Sequence, residues 1–340
     1  MLARKSFTED TPRSTVTDSM PIGSRWSPMS DCRSDPCLPS LRSDCFFLSA
    51  RSHSSRASHA GLGMHMWQFP STTKESCIQK EIDILELIAR GEEPSKNSVI
   101  GFLDTDTNMG RTVLVFEMVQ SSNLYTELQS ISIDNIALYT FKLLQALDFL
   151  HQKDVVHRDV KPDNFLHNFE SNIFKLIDFG SSEKGTEGFT AKGGGTTGFK
   201  APEILMSAMH QTAAVDIWSA GIIMLIMLTG DRFTLSNATD KDRNWTHLKE
   251  ITAIVGYETM HDVAESLKVA EKFTSHVQGR KSEAISRKDR GWTAIVEQKR
   301  VWQTETQSLD LLSRMLDVNP RTRVTARDAL QHPFLQKFRK

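Results

Sequence analysis

The segment HRDVKPDNF, residues 157–165, concentrates side chains that could handle a phosphoryl group. Asp159 and Asn164 stand five positions apart, and Asp178 follows at the end of LIDFG. Asn and Asp oxygens suit Mg²⁺ that is shared with substrate phosphates. A carboxylate beside such a metal can accept a hydroxyl proton, and Lys161 could meet the negative charge of the transferred group. Together these residues predict phosphoryl transfer.

The alternative is a surface turn decorated with ion pairs, and for any single Asp in this segment that is the better interpretation. Pro162 interrupts a helix, so the segment is expected to be a loop in either case. The ordered occurrence of HRDxKxxN, DFG and APE, at residues 157–164, 178–180 and 201–203, favours the catalytic interpretation.

Hydrophobic periodicity indicates the elements that must position these residues. A helix is expected in ESCIQKEIDILELIAR, with Ile78, Ile82, Leu85 and Ile88 on one stripe. NSVIGFLDT and RTVLVFEMV look like two antiparallel strands around the turn DTNMG. A long helix is expected in DNIALYTFKLLQALDFLHQ, with Asp134 as its N-cap, and NIFKLIDFG adds a short strand.

The chain is mainly helical after Asp216, and the overall pattern is an α+β fold. The helices expected there are DIWSAGIIMLIMLTG, HLKEITAIVG, HDVAESLKVAEKF, SLDLLSRML and VTARDALQHPF.

Composition narrows the class of protein. The chain has 340 residues, 39% hydrophobic residues and a formal net charge of −1, which gives no support for nonspecific binding to nucleic acid or membrane. The longest apolar run, Ala220–Leu228, is far shorter than the roughly 20 residues of a spanning helix. Four cysteines without a CxxC pair are typical of a reducing, intracellular compartment.

These motifs resemble the eukaryotic Ser/Thr protein kinases, over roughly residues 75–340. The matching positions are His157–Asp159 with Asn164, Asp178–Gly180, Ala201–Glu203, Asp216–Gly221 and Arg323. Within that family, VVHRDVKPDNFL with GTTGFKAPEIL is most similar to the Dbf-dependent cell-division-cycle kinases that fire replication origins. The resemblance implies a bilobal fold with a mainly helical large lobe. The small lobe is expected to be reduced to an αC-like helix and two or three strands.

The resemblance also implies roles for single residues. Catalysis would rest on Asp159 and Lys161, and magnesium would be held by Asn164 and Asp178. The expected ATP-binding residues are Glu81, Phe116, Glu117 and Met118. The expected activation and substrate loop carries Thr196, Thr197, Lys200 and Glu203. The expected structural supports are His157, Phe179, Asp216 and Arg323, and Leu85 would join His157 and Phe179 in a hydrophobic column.

ATP and Mg²⁺ are the implied cofactors, and Ser/Thr proteins, with an acidic context favoured by Lys192 and Lys200, are the implied substrates. A regulatory activator subunit, a nuclear location and a role in replication and the cell cycle follow from the same resemblance. Direct partners are expected to include neither nucleic acid nor membrane.

The front of the kinase pattern is missing. Only GLG at residues 61–63 suggests a glycine-rich loop, and no VAIK-like strand precedes Glu81. CFFLSA and MHMWQF are the strand-like segments that remain. Two explanations stay open, a truncated or alternatively spliced kinase and a degenerate pseudokinase that binds a partner without catalysis. The expected division is a Ser/Arg-rich disordered tail (1–63), a partial small lobe (64–119) and a large lobe (120–340).

Overall fold

The computed structural model describes residues 64–69, 72–90, 97–108, 110–232, 243–277, 291–299 and 305–339. The predicted tail (1–63), including CFFLSA and the GLG segment, lies outside the described residues. Within the described residues, no helix is long and apolar enough to cross a membrane.

The first part of the described chain is a three-stranded antiparallel sheet with one helix. The strands are β1 (Met64–Gln68), β2 (Phe102–Asn108) and β3 (Arg111–Glu117), in the spatial order β1-β3-β2. The helix, α1 (Glu75–Ala89), buries the apolar stripe predicted from the sequence, except that Ile82 is half-buried. The expected αC-like helix and strand pair are therefore confirmed, but β2 begins at Phe102 and includes residues 106–108, which were expected in the turn. MHMWQ supplies the third strand.

The second part is mainly helical, with short strand pairs. Its helices are α2 (Leu124–Glu127), α3 (Ile133–Gln152), α4 (Pro202–Leu205), α5 (Ala214–Thr229), α6 (Arg243–Val255), α7 (Tyr257–Ser266), α8 (Ala270–Val277), α9 (Gly291–Gln298), α10 (Thr306–Met315) and α11 (Ala326–Leu330). Its strands are β4 (Val155–Val156), β5 (Phe165–Asn168), β6 (Ile173–Leu176), β7 (Glu183–Lys184), β8 (Phe189–Thr190) and β9 (His210–Gln211). The strand pairs are β4–β7, β5–β6 and β8–β9.

Two sequence expectations about helix ends were wrong. Helix α3 is capped by Ser132, whose hydroxyl accepts from the Asn135 amide at 3.1 Å, whereas the Asp134 carboxylate pairs with Lys337. The segment HDVAESLKVAEKF is not one helix, because Lys268 takes a left-handed φ of 60° between α7 and α8.

Helix α5 lies at the centre of the core and supports the elements that carry the charged loops. Nearly all of its side chains are buried, in contact with α3 and α10. A Cβ atom added at Gly221 would lie 2.7 Å from the Leu316 side chain, so a glycine is needed for α10 to approach this closely. The core helix predicted from the apolar run Ala220–Leu228 is confirmed.

Candidate active site

The backbone of the charged loop is anchored by a buried carboxylate on α5. Asp216 accepts from the amides of His157 and Arg158 at 2.8 and 2.7 Å, and it faces the ring of His151 at 3.0 Å. Burial raises the pKa of Asp216, but the hydrogen bond and charge of His151, together with His157, outweigh it and hold the pKa below its usual value. An ionised Asp216 therefore fixes the start of the loop.

The Asp159 carboxylate is held from both of its oxygens. Lys161 Nζ lies 2.5 Å from Oδ2 and also donates to the Thr196 hydroxyl at 3.0 Å. That hydroxyl donates to Oδ1 of Asp159 at 2.6 Å. Lys161 is buried, while the Asp159 side chain keeps 13% of its surface exposed, so a substrate hydroxyl could reach the carboxylate.

Asn164 is turned toward the same carboxylate by the short 3₁₀ helix Pro162–Asn164. Its Nδ2 donates to the Asp159 carbonyl at 2.9 Å and to Oδ2 at 3.2 Å. The main-chain carbonyl of Asn164 accepts from the Ile177 amide at 2.9 Å. Asp178 is the residue that follows Ile177. The structure thus joins the side chains of Asn164 and Asp159 and brings the backbone next to Asp178 up to Asn164.

Two buried aromatic rings support Asp178. The rings of His157 and Phe179 meet edge to face with centroids 5.3 Å apart, and His157 Nε2 lies 3.0 Å from the Ile177 carbonyl. Leu85 is also buried in the core, and its place in a column with His157 and Phe179 stays a prediction. Asp178 itself has a left-handed φ of 67°.

Glu81 is buried on α1, near enough to Asp178 to be affected by the charge of Asp178. Burial, and secondarily the charge of Asp178, raise the pKa of Glu81 to about 8. Within the described residues, no hydrogen bond or ion pair reaches the Glu81 carboxyl group. In protein kinases the glutamate at this place pairs with a lysine of a neighbouring strand. Strand β1 contains no lysine, so it does not supply that partner for Glu81.

The segment at the end of β3 joins the two parts of the chain. Phe116 is half-buried, with its ring 5.8 Å from that of Phe102. The Glu117 carboxylate pairs with Lys175 at 2.8 Å and accepts from the Gly101 amide at 2.7 Å, so its side chain serves as a connection between β3 and β6. Met118 is exposed.

The segment that follows the Thr196 contact is fixed by a buried ion pair. Glu203 and Arg323 make two parallel hydrogen bonds of 2.8 and 3.0 Å, and both side chains are buried. Thr197 and Lys200, which precede Glu203 in the chain, are half-buried. Of the expected loop residues, Thr196 contacts Asp159 and Lys161 directly, and Glu203 contacts Arg323.

Sequence reasoning missed a second set of contacts centred on Arg158. Its guanidinium donates to the Gly193 carbonyl at 2.7 Å and lies 3.5 Å from Glu183, which pairs with Lys80 of α1 at 2.6 Å. Gln211 also donates to the Gly193 carbonyl, at 3.2 Å. Arg158 was noticed as part of the HRD motif, but no pattern in the sequence connected Arg158 to Glu183 or Lys80.

The donor set partly fits a magnesium–nucleotide group. Asn164 and Asp178 offer the hard oxygen atoms that Mg²⁺ prefers, next to the Asp159 carboxylate. Among the described residues, the phosphate-holding cation expected opposite Glu81 is not present. The described residues thus include the oxygen ligands expected for Mg²⁺ but not the lysine expected to hold the phosphates.

Comparison with known proteins agrees with this geometry. The protein kinase domain model matches residues 67–335. Two probable cell division control protein 7 homologs of Encephalitozoon cuniculi (strain GB-M1) are each 30% identical over 283 residues, covering 72% of this chain and 78% of each relative. Mitogen-activated protein kinase HOG1 of Wallemia sebi is 31% identical, with 71% and 81% covered. The chain therefore belongs to the protein kinase family, and it is a eukaryotic serine/threonine protein kinase.

Proposed function

We propose that this chain transfers the γ-phosphate of ATP to Ser and Thr hydroxyls of proteins. The observation that carries the proposal is the Asp159 carboxylate, which is held by Lys161, Asn164 and Thr196 and remains partly exposed. Such a preorganised carboxylate can orient a substrate hydroxyl and accept its proton.

Each neighbouring residue has a distinct role in this proposal. Asn164 and Asp178 would hold Mg²⁺, which would neutralise phosphate charge. Lys161 offsets the charge that develops on the transferred group. Thr196 holds the side chains of Asp159 and Lys161 in place through one hydrogen bond with each of them. Main-chain groups of Glu117 and Met118 would face the base, and Phe116 would line the back of its pocket.

We place this activity in cell-cycle control, with DNA replication as the process. The support is the similarity to relatives named cell division control protein 7 homologs. A regulatory activator subunit and a nuclear location belong to the same proposal. Lys192 and Lys200 favour substrates with acidic residues near the hydroxyl, because both lysines lie in the segment around Thr196.

One observation favours a second candidate, a kinase-like chain that binds a partner without catalysis. Glu81 is buried with no cation partner among the described residues, although kinases use a lysine there to hold the phosphates. This candidate predicts stable folding and no phosphate transfer.

A transfer assay with labelled ATP, Mg²⁺ and an acidic Ser-containing protein separates the two candidates. The matched variant is Asp159→Asn, which keeps the shape of the side chain and removes its charge. We expect the wild-type rate to exceed the variant rate by about 10²- to 10⁴-fold, the usual contribution of a catalytic base. Equal label from both proteins, with both folded, would rule out catalysis by this site.

A further inference from the structure

Helix α1 must be held against the catalytic elements by contacts other than the expected one. In kinases, this helix is positioned by an ion pair between its glutamate and a strand lysine. Here Glu81 receives no such contact from the described residues. The apolar face of α1 packs in the core, so further anchoring must come from polar contacts of its other face.

The residue before Glu81 makes a polar contact that crosses to the large lobe. Lys80 Nζ lies 2.6 Å from Oε1 of Glu183, and the two side chains are 44% and 31% exposed. Glu183 opens β7 and pairs in register with Val156, the residue directly before His157. The small-lobe helix is thus bonded to the strand pair from which the catalytic loop emerges.

The same glutamate continues the contact inward. Glu183 also faces Arg158 at 3.5 Å, and the Arg158 side chain is only 7% exposed. Arg158 donates to the Gly193 carbonyl at 2.7 Å and to the Ser181 carbonyl at 3.3 Å. Lys80, Glu183 and Arg158 therefore form one continuous set of charges, which we call the Lys80 bridge.

The Lys80 bridge ends at the turn that presents Thr196. A Cβ atom added at Gly194 would lie 2.5 Å from Nη2 of Arg158, so the glycine turn is shaped around this guanidinium. Two residues later, the Thr196 hydroxyl contacts Asp159 at 2.6 Å. A shift of α1 can reach the catalytic carboxylate through this path of direct contacts.

We propose that Lys80 is a positioning residue, which aligns helix α1 with the catalytic carboxylate through Glu183 and Arg158. This inference rests on the proposed kinase activity for its consequence, although the bridge itself does not. Because the outer ion pair is partly exposed, its loss is expected to shift the alignment equilibrium by about 1.4- to 5-fold. The effect on activity is therefore graded.

The test compares three variants of the whole chain. Lys80→Met removes the charge, Lys80→Arg keeps it, and Lys74→Met is the matched control, since Lys74 is an exposed lysine at the start of α1. The readouts are kcat and KM for protein phosphorylation, the rate of amide hydrogen exchange in Glu75–Ala89, and Tm. Hydrogen exchange reports how often the helix hydrogen bonds of α1 open, and it needs no catalysis.

For Lys80→Met we expect about a threefold fall in kcat, about threefold faster exchange in α1 and an unchanged KM for the protein substrate. Lys80→Arg and Lys74→Met should match the wild type in kcat, KM and exchange rate, and Tm should differ by no more than about 2 °C among the variants. The double variant Lys80→Met/Glu183→Gln should add nothing to Glu183→Gln alone in the exchange rate of α1.

Exchange in α1 that is the same for Lys80→Met and Lys74→Met would overturn the inference. A chain that transfers no phosphate in any variant would overturn the proposed function. In that case, faster α1 exchange in Lys80→Met alone would still support the bridge.

Discussion

Two carboxyl groups show how partners decide the charge of a buried acid. Asp216 is fully buried but accepts two backbone amides and faces His151, so its pKa lies below the usual value. Glu81 is also buried, yet no described residue bonds to it, and its pKa rises to about 8. At neutral pH the first group is therefore ionised and the second is neutral.

The substitution Glu81→Gln is expected to stabilise the fold. Glu81 binds its proton more tightly in the folded than in the unfolded chain, so its burial costs stability as the pH rises from about 4.5 to about 8. Gln has no proton to lose and removes this cost. The free energy of unfolding should rise by about 3 kcal/mol at pH 7, and the gain should vanish near pH 4.5.

Chemical denaturation of both proteins at several pH values measures this difference. Glu86→Gln is a suitable control, because Glu86 is an exposed residue on the same helix. If the gain in free energy of unfolding for Glu81→Gln is the same at pH 5 and pH 8, the pKa of Glu81 is not raised by burial.

At the scale of elements, the buried pair between Glu203 and Arg323 joins α4 to the turn before α11. Arg323 donates through Nη1 and Nη2 to the two carboxylate oxygens, and its Nε donates to the Asp317 carbonyl at 2.7 Å. A lysine would carry the same charge, but its ammonium group cannot make the hydrogen bonds that the planar guanidinium makes simultaneously to Glu203 and Asp317.

The substitution Arg323→Lys is therefore expected to lower the free energy of unfolding by about 2–3 kcal/mol, since hydrogen bonds inside a buried ion pair are lost. Arg321→Lys is the matched control, because Arg321 is exposed two residues away. Urea denaturation measures both. Equal midpoints for the two variants would show that the fork geometry does not matter.

The sequence allowed some elements to be predicted and not others, for physical reasons. The stripe of Ile136, Tyr139 and Leu143 predicted α3, because helical periodicity survives in a long amphipathic segment. Its N-cap was misassigned to Asp134, because Ser132 offers an equally good oxygen two residues earlier. Strand β1 was recognised only as a fragment, because a strand of five residues gains its register from β3.

At the scale of the whole molecule, the two parts of the chain meet through a few defined contacts. The Ile100 amide donates to the Leu176 carbonyl at 3.0 Å, and ion pairs join Lys175 to Glu117 and Lys80 to Glu183. HRD, DFG and APE predicted the residues of the site, since those motifs are local. The Lys80 bridge could not be predicted, because its members are brought together only by the tertiary fold.

The central claim is that Asp159, Asn164 and Asp178 form one site for a magnesium-bound nucleotide. Its most direct test is a calorimetric titration of the whole chain with ATP, with and without Mg²⁺, alongside Asp178→Ala. We expect saturable binding that requires Mg²⁺ and is weakened about 10-fold or more in the variant. Equal ATP affinity with and without Mg²⁺, or no loss in Asp178→Ala, would contradict the claim.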